Sequence, residues 1–182
     1  MFSEILSQVV TRLEHARKTG ALQAYALIGG FAVSAWGVSR ATQDIDLAVA
    51  LGTTHPQALA SCLNATYEAG DADDPLEGVF HFAIESKGQE VPVQLIVLRP
   101  KWAEVAFAGI ETLKVLDSAV PVVNWQSLVL MKLYAGGPID LQDARNIVVV
   151  RNPDAEERTR LIAQADSLGI GQDTRDLLTA LP

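Results

Sequence analysis

The chain has 182 residues, 49% of them apolar and 20% charged, with a formal net charge of −8. This composition suits one globular domain, with or without a helical extension, and excludes broad disorder. No apolar run reaches the ~18 residues that cross a bilayer, and the start M-F-S-E-I-L-S has no basic segment, so a cytoplasmic protein without membrane contact is expected. The acid excess is shared: residues 1–100 hold 6 basic and 11 acidic side chains, and residues 101–182 hold 8 and 11. Neither half is a basic module, which argues against an extended nucleic-acid groove. Cys62 is the only cysteine and is expected as a small buried hydrophobe, so no disulfide framework or zinc site is possible.

In chain order, Ser3 is expected to cap a first helix whose apolar positions Ile5, Leu6, Val9, Val10 and Leu13 share a face and which ends before Gly20. Tyr25 to Ile28 reads as a strand, Phe31 to Trp36 as a short helix and Asp44 to Val49 as a second strand. Pro56 sits at the first turn of a helix expected to close at Gly70, and Asp71 to Gly78 form an acidic loop. Val79 to Glu85 and Glu90 to Leu98 make a hairpin over Ser86-Lys87-Gly88-Gln89. A short helix at Trp102 to Ala108 and extended pieces at Thr112 to Leu116 and Ala119 to Val123 follow. Asn124 caps a helix over Trp125 to Ala135, Gly136-Gly137-Pro138 breaks it, Asp140 to Val150 forms the next, and a helical tail follows Pro153. The order implies a mixed α+β or α/β core over residues 1–123 and a helical part over 124–182.

One stretch carries chemistry. From Leu27 the sequence runs L-I-G-G-F-A-V-S-A-W-G-V-S-R-A-T-Q-D-I-D-L-A-V. Alternation on a strand points Asp44 and Asp46 the same way, about 7 Å apart. Two such carboxylates repel unless a hard cation with oxygen ligands, such as Mg²⁺ or Mn²⁺, lies between them. Gly29 and Gly30 lack side chains, so their backbone can approach a phosphate at the start of a helix. Phosphate beside the glycines and metal beside the aspartates describe a nucleoside triphosphate. A Gly-Gly after a strand is often only a tight turn, and an aspartate at a strand start often caps a loop. Asp46 is harder to read so, because a lone carboxylate between Ile45 and Leu47 is costly without a partner.

Gly29-Gly30, thirteen intervening residues and Asp44-Ile45-Asp46 resemble the signature of the nucleotidyltransferase (polymerase-β-like) superfamily. The run R-x-T-x-D-I-D-L from Arg40 to Leu47 is most similar to its AbiEii-type branch of abortive-infection toxins and stand-alone relatives. So is the block Ser127 to Ala135 with Lys132, followed by Asp140 and Asp143. The resemblance covers roughly residues 26–150 and implies a nucleotidyltransferase-like small mixed sheet flanked by helices. It implies transfer of a nucleoside monophosphate from NTP to a hydroxyl of a tRNA end, a protein or a small molecule, with an antitoxin-like protein partner possible.

In that resemblance Asp44 and Asp46 bind metal, Gly29 and Gly30 cradle phosphate, and Arg40, Thr42 and Lys132 belong to the nucleotide side. A third acid belongs on a later strand, and the matching position in Val91 to Val97 is Gln94. An amide oxygen is a weak, neutral ligand and no base at pH 7. Glu90 shares that strand face but lies about 13 Å away, and Glu85 or Asp74 would have to fold in. A catalytically degenerate nucleotide-binding or protein-interaction domain is therefore the rival reading. Simpler roles exist for the outlying groups: a surface Arg40, a snorkelling Lys132, helix-start acids at Asp140 and Asp143, and structural His15, His55 and His81. Asp71, Asp73, Asp74 and Glu77 lack calcium-loop spacing and read as a solvated loop.

Overall fold

Ile5 and Leu6, with Val9 and Leu13 three to four residues further on in turn, are fully buried along one face of α1 (Phe2–Lys18). The structure is a computed structural model and describes residues 2–72, 74–86 and 88–180. Asp73 of the acidic loop and Lys87 of the hairpin turn lie outside the described residues. Ser3 does not cap α1 as expected. It lies inside the first turn and donates to Asp117 Oδ2 at 3.4 Å.

The chain continues through β1 (Leu22–Leu27), α2 (Gly29–Ala35), β2 (Ile45–Leu51), α3 (Pro56–Leu63), β3 (Thr66–Ala69), β4 (Leu76–Ser86) and β5 (Gln89–Leu98). After these come α4 (Pro100–Phe107), β6 (Glu111–Val115), β7 (Ser118–Val122), α5 (Trp125–Ala135), α6 (Pro138–Arg151), α7 (Ala155–Leu168) and α8 (Gly171–Thr179). One seven-stranded mixed sheet has the order β3-β4-β5-β2-β1-β7-β6. Its centre combines an antiparallel β1–β2 pair with parallel β2–β5 and β1–β7 pairs. The expected mixed α/β fold is present.

Two expectations fail around α3. The helix ends at Leu63 rather than running to Gly70, because Asn64 takes the left-handed conformation (φ 53°) and stops it. Residues 66–69 then become the edge strand β3, held by Tyr67 against Phe80 with ring centroids 4.8 Å apart. Cys62 is exposed, not buried. The acidic loop is also shorter than expected, since β4 begins at Leu76. The C-terminal tail is two helices, divided where Gly169 turns the chain at φ 82°. Asp154 opens the first of them with a reciprocal capping box to Glu157.

Alternation along β5 sets the two faces of the sheet. Val91, Val93, Leu95 and Val97 are buried on one side, while Gln94, Ile96 and Leu98 turn towards α4 and α5. Trp36 fixes the end of α2 by donating from Nε1 to the Val123 carbonyl at 2.9 Å. Among the described residues no helix is long and apolar enough to cross a membrane. Because Cys62 is exposed, the native chain is expected to react with a thiol-specific chromogenic reagent without denaturant. Reaction only after unfolding would contradict this placement.

Candidate functional site

The end of β1 and the start of β2 lie side by side, with the Ile28 amide donating to the Asp46 carbonyl at 2.9 Å. Gly29 follows at φ +65°, a conformation that side chains disfavour. A Cβ on Gly29 would fall 2.1 Å from Asp46 Oδ2, inside any permitted contact. The bare turn and the carboxylate therefore occupy adjoining space that only glycine leaves open. Gly30 does a different job. A Cβ there would lie 2.7 Å from the Thr42 Cβ, so its absence lets Thr42 pack against the turn. Thr42 Oγ1 in turn donates to Asp44 Oδ1 at 2.6 Å and orients that carboxylate. Gly30 and Thr42 thus support Asp44 from behind rather than lining the cavity in front.

Gly29, Asp44, Asp46, Gln94, Lys132 and Asp140 line one cavity of about 580 Å³. Asp46 and Gln94 are direct register partners on β2 and β5, so the position matching the third acid holds an amide beside Asp46. Glu85 and Glu90 face each other across the β4–β5 hairpin, away from this cavity, and Asp74 reaches its rim. Arg99 holds that rim by donating to the carbonyls of Asp74 and Asp71 at 2.6 and 2.8 Å.

Asp46 is half-buried, and no group among the described residues hydrogen-bonds its carboxylate. Burial first, then the charge of Asp44, raise its pKa to about 6, against a smaller lowering by Lys132. A half-buried carboxylate without a protein hydrogen-bond partner among the described residues, with a second one beside it, is a donor set that fits a hard divalent cation. Asp44 and Asp46 would hold it, with the Gln94 amide oxygen in reach as a neutral neighbour.

The positive charge is supplied by a network that ties three segments together. Lys132 Nζ on α5 lies 2.6 Å from Asp140 Oδ1 and 3.2 Å from Asp143 Oδ2, both on α6. Arg40, in the loop between α2 and β2, places Nε 3.4 Å from the same Asp143 oxygen and also donates to the Ala41 carbonyl. Asp140 does stand in the first turn of α6, whereas Asp143 is only 4% exposed and neutralises two cations. The helix-start reading of Asp143 is therefore replaced by a buried ion-pair role, and Lys132 is paired rather than snorkelling. Arg40 does not line the cavity. Of the histidines, His55 accepts from the Gln57 amide to cap α3, and His81 lies 3.9 Å from Glu68. Sequence reasoning missed the apolar half of the cavity, formed by Ile96, Leu98, Trp102, Leu128, Met131 and Tyr134. Each reads as ordinary core along the chain.

No protein-family model and no curated protein matches the chain. Solved structures do match it in fold. An antigenic nucleotidyltransferase-like protein from Paracoccidioides brasiliensis superposes with a TM-score of 0.52 at 20% identity, covering 98% of this chain and 94% of that one. The antibiotic-resistance factor ANT(2'')-Ia superposes in its solution structure with a TM-score of 0.54 at 16% identity, covering 93% and 97%. Its crystal structure in complex with adenylyl-2''-tobramycin gives 0.50 at 16%, covering 89% and 96%. The chain shares the fold of these nucleotidyltransferase-like proteins.

Two outcomes follow from the electrostatics. A carboxylate whose folded pKa lies above its unfolded value of 3.8 costs stability once ionised. The metal-free protein should therefore lose stability as pH rises from about 4 through about 6. Asp46→Asn should remove that slope and raise the unfolding free energy at pH 8 in EDTA by about 1–2 kcal/mol, read by urea titration at several pH values. A slope unchanged in the variant would refute the assignment. Asp143→Ala should cost about 2 kcal/mol because it removes the only carboxylate paired with Arg40 among the described residues and one of the two paired with Lys132. Combined with Arg40→Gln, the loss should be less than additive.

Proposed function

We propose that the protein is a divalent-metal-dependent nucleotidyltransferase that moves a nucleoside monophosphate from NTP to a hydroxyl. The observation that carries the reading is the interlock of Gly29 with Asp46 on the wall of a cavity that Asp44 and Lys132 also line. It joins a bare backbone turn to a paired carboxylate, the two features a metal-chelated triphosphate needs.

When bound, Mg²⁺ or Mn²⁺ supplies Lewis-acid stabilisation of the phosphoryl oxygens. The remaining work falls to the chain. Gly29 leaves room for the phosphates, Asp44 is held in place by Thr42, and Lys132 offsets charge that develops on the leaving pyrophosphate. The acceptor oxygen forms a bond to the α-phosphorus as the bond from that phosphorus to the bridging oxygen breaks, and the hydroxyl proton leaves to a base. A small-molecule acceptor is favoured over the tRNA or protein acceptors of the AbiEii-type resemblance. Both the net charge of −8 and the acids lining the cavity away from the metal pair, Asp74 and Asp140, disfavour a polyanionic acceptor such as a tRNA end. Two of the matched structures are of a factor bound to, or named for resistance to, small molecules. A toxin role with an antitoxin-like partner rests on the sequence motifs alone.

The rival reading, a degenerate nucleotide-binding or protein-interaction domain, is supported by Gln94. It stands beside Asp46 and can neither take a proton nor contribute negative charge.

Calorimetry should show NTP binding with Mg²⁺ that disappears in EDTA and falls at least about tenfold in Asp46→Asn, since one of two anionic ligands is lost. Equal affinity with and without EDTA would end the metal-site reading. Incubation with each labelled NTP and candidate acceptors then separates the two readings. If the site is degenerate, Gln94→Asp should turn a silent protein weakly active, a gain of up to ~10²–10⁴-fold. If another carboxylate already serves, the variant should gain nothing.

A further inference from the structure

The cavity changes character along β5. Gln94, Ile96 and Leu98 share one face, so four residues, about 13 Å, separate the amide beside Asp46 from Leu98. Leu76, paired with Leu98, adds to the far end. Trp102 and Tyr134 close it with ring centroids 5.1 Å apart at 72°. Tyr134 is 42% exposed although it is a large aromatic side chain on the cavity wall.

This polarity gradient runs in a definite direction. Across the sheet the order is β1, β2, β5; the turn after β1 holds Gly29, β2 carries Asp46 and β5 carries Gln94. With phosphates on the Gly29 side, in-line displacement puts the attacking hydroxyl on the opposite side of the phosphorus, towards β5. Ile96 and Leu98, on the same face of β5 as Gln94, are the cavity wall next to that position and are available to the body attached to the hydroxyl.

Resting on the nucleotidyl-transfer reading, we infer that the acceptor is an uncharged or cationic hydroxyl compound with an apolar, ring-bearing body, selected by Ile96, Leu98, Trp102, Met131 and Tyr134. An apolar body displaces water from these side chains, and a ring packs edge or face against the two aromatics. A hydroxyl-rich body would bury its polar groups there without partners. An anionic acceptor body is disfavoured by Asp74 and Asp140, which line the same cavity.

The test uses naphthylethanol as acceptor probe, followed by its own fluorescence, with tobramycin as the hydroxyl-rich control and Mg²⁺ tripolyphosphate as the phosphate probe. Wild type should bind naphthylethanol saturably at millimolar concentration or below, with tobramycin failing to compete. Tyr134→Ala should weaken it about fivefold, Tyr134→Phe should retain it, and Ile96→Asn should weaken it further. Tyr134 is exposed enough that its truncation leaves the fold intact, which keeps the test decisive if Ile96→Asn misfolds. With NTP present, label should pass to naphthylethanol and not to tobramycin. Saturable, Asp46-dependent tripolyphosphate binding without naphthylethanol binding would overturn the acceptor class and leave nucleotidyl transfer standing. Naphthylethanol binding equal in wild type and Tyr134→Ala would also overturn the acceptor class. Absence of Mg²⁺-dependent tripolyphosphate binding would overturn the nucleotidyl-transfer reading, and the acceptor role with it.

Discussion

The site depends on a missing methylene. With φ +65° at Gly29 and the Asp46 carboxylate where a Cβ would stand, the β1–α2 turn and the β2 strand share a space that a side chain would close. The hydrogen bond from Ile28 to Asp46 and the antiparallel β1–β2 register hold the two strands at that separation. Parallel pairing of β2 with β5 then puts Gln94 beside Asp46. Gly30 repeats the device one residue on, admitting Thr42 and through it fixing Asp44. Two adjacent glycines thus serve two different carboxylates.

Charge in the site is arranged in tiers. Asp44 and Asp46 stand together, and burial with the charge of Asp44 raises the Asp46 pKa to about 6, with no protein cation paired to it among the described residues. The cations are held back by Asp140 and Asp143, which bind Lys132 and Arg40 and lock α5, α6 and the loop before β2 into one unit. A buried carboxylate serving two cations is costly to disrupt and contributes little net stability. Its value lies in fixing where Lys132 stands relative to Asp46. Apolar side chains then fill the rest of the cavity wall, so the same 580 Å³ space offers oxygen ligands at one end and rings at the other.

Most of the architecture was legible in order and type along the chain. Period-2 and period-3.6 patterns are local, and they located the β4–β5 hairpin, the short helix after the glycines, the helix from Trp125 and the next one, expected from Asp140 and begun at Pro138. They failed where local signals compete. Residues 58–67 carry a helical pattern, but Asn64 breaks it and Tyr67 finds Phe80 across a sheet edge that only the folded chain provides. Cys62 then falls on the outer face of a shorter helix.

The sequence by itself determined the carboxylate pair and the glycine turn, because each follows from spacing within a single strand or turn, whereas Gln94 was marked by the family resemblance. Only the tertiary structure decided what those residues face. It set Gly29 against Asp46, turned Gly30 and Thr42 to the support of Asp44, and drew Arg40 away to Asp143. It also made a cavity wall of Leu98, Trp102 and Tyr134, which come from three separate elements. The reason is physical: a side chain's direction is fixed by its own backbone, whereas its neighbours depend on where distant strands and helices pack, and no local pattern encodes that.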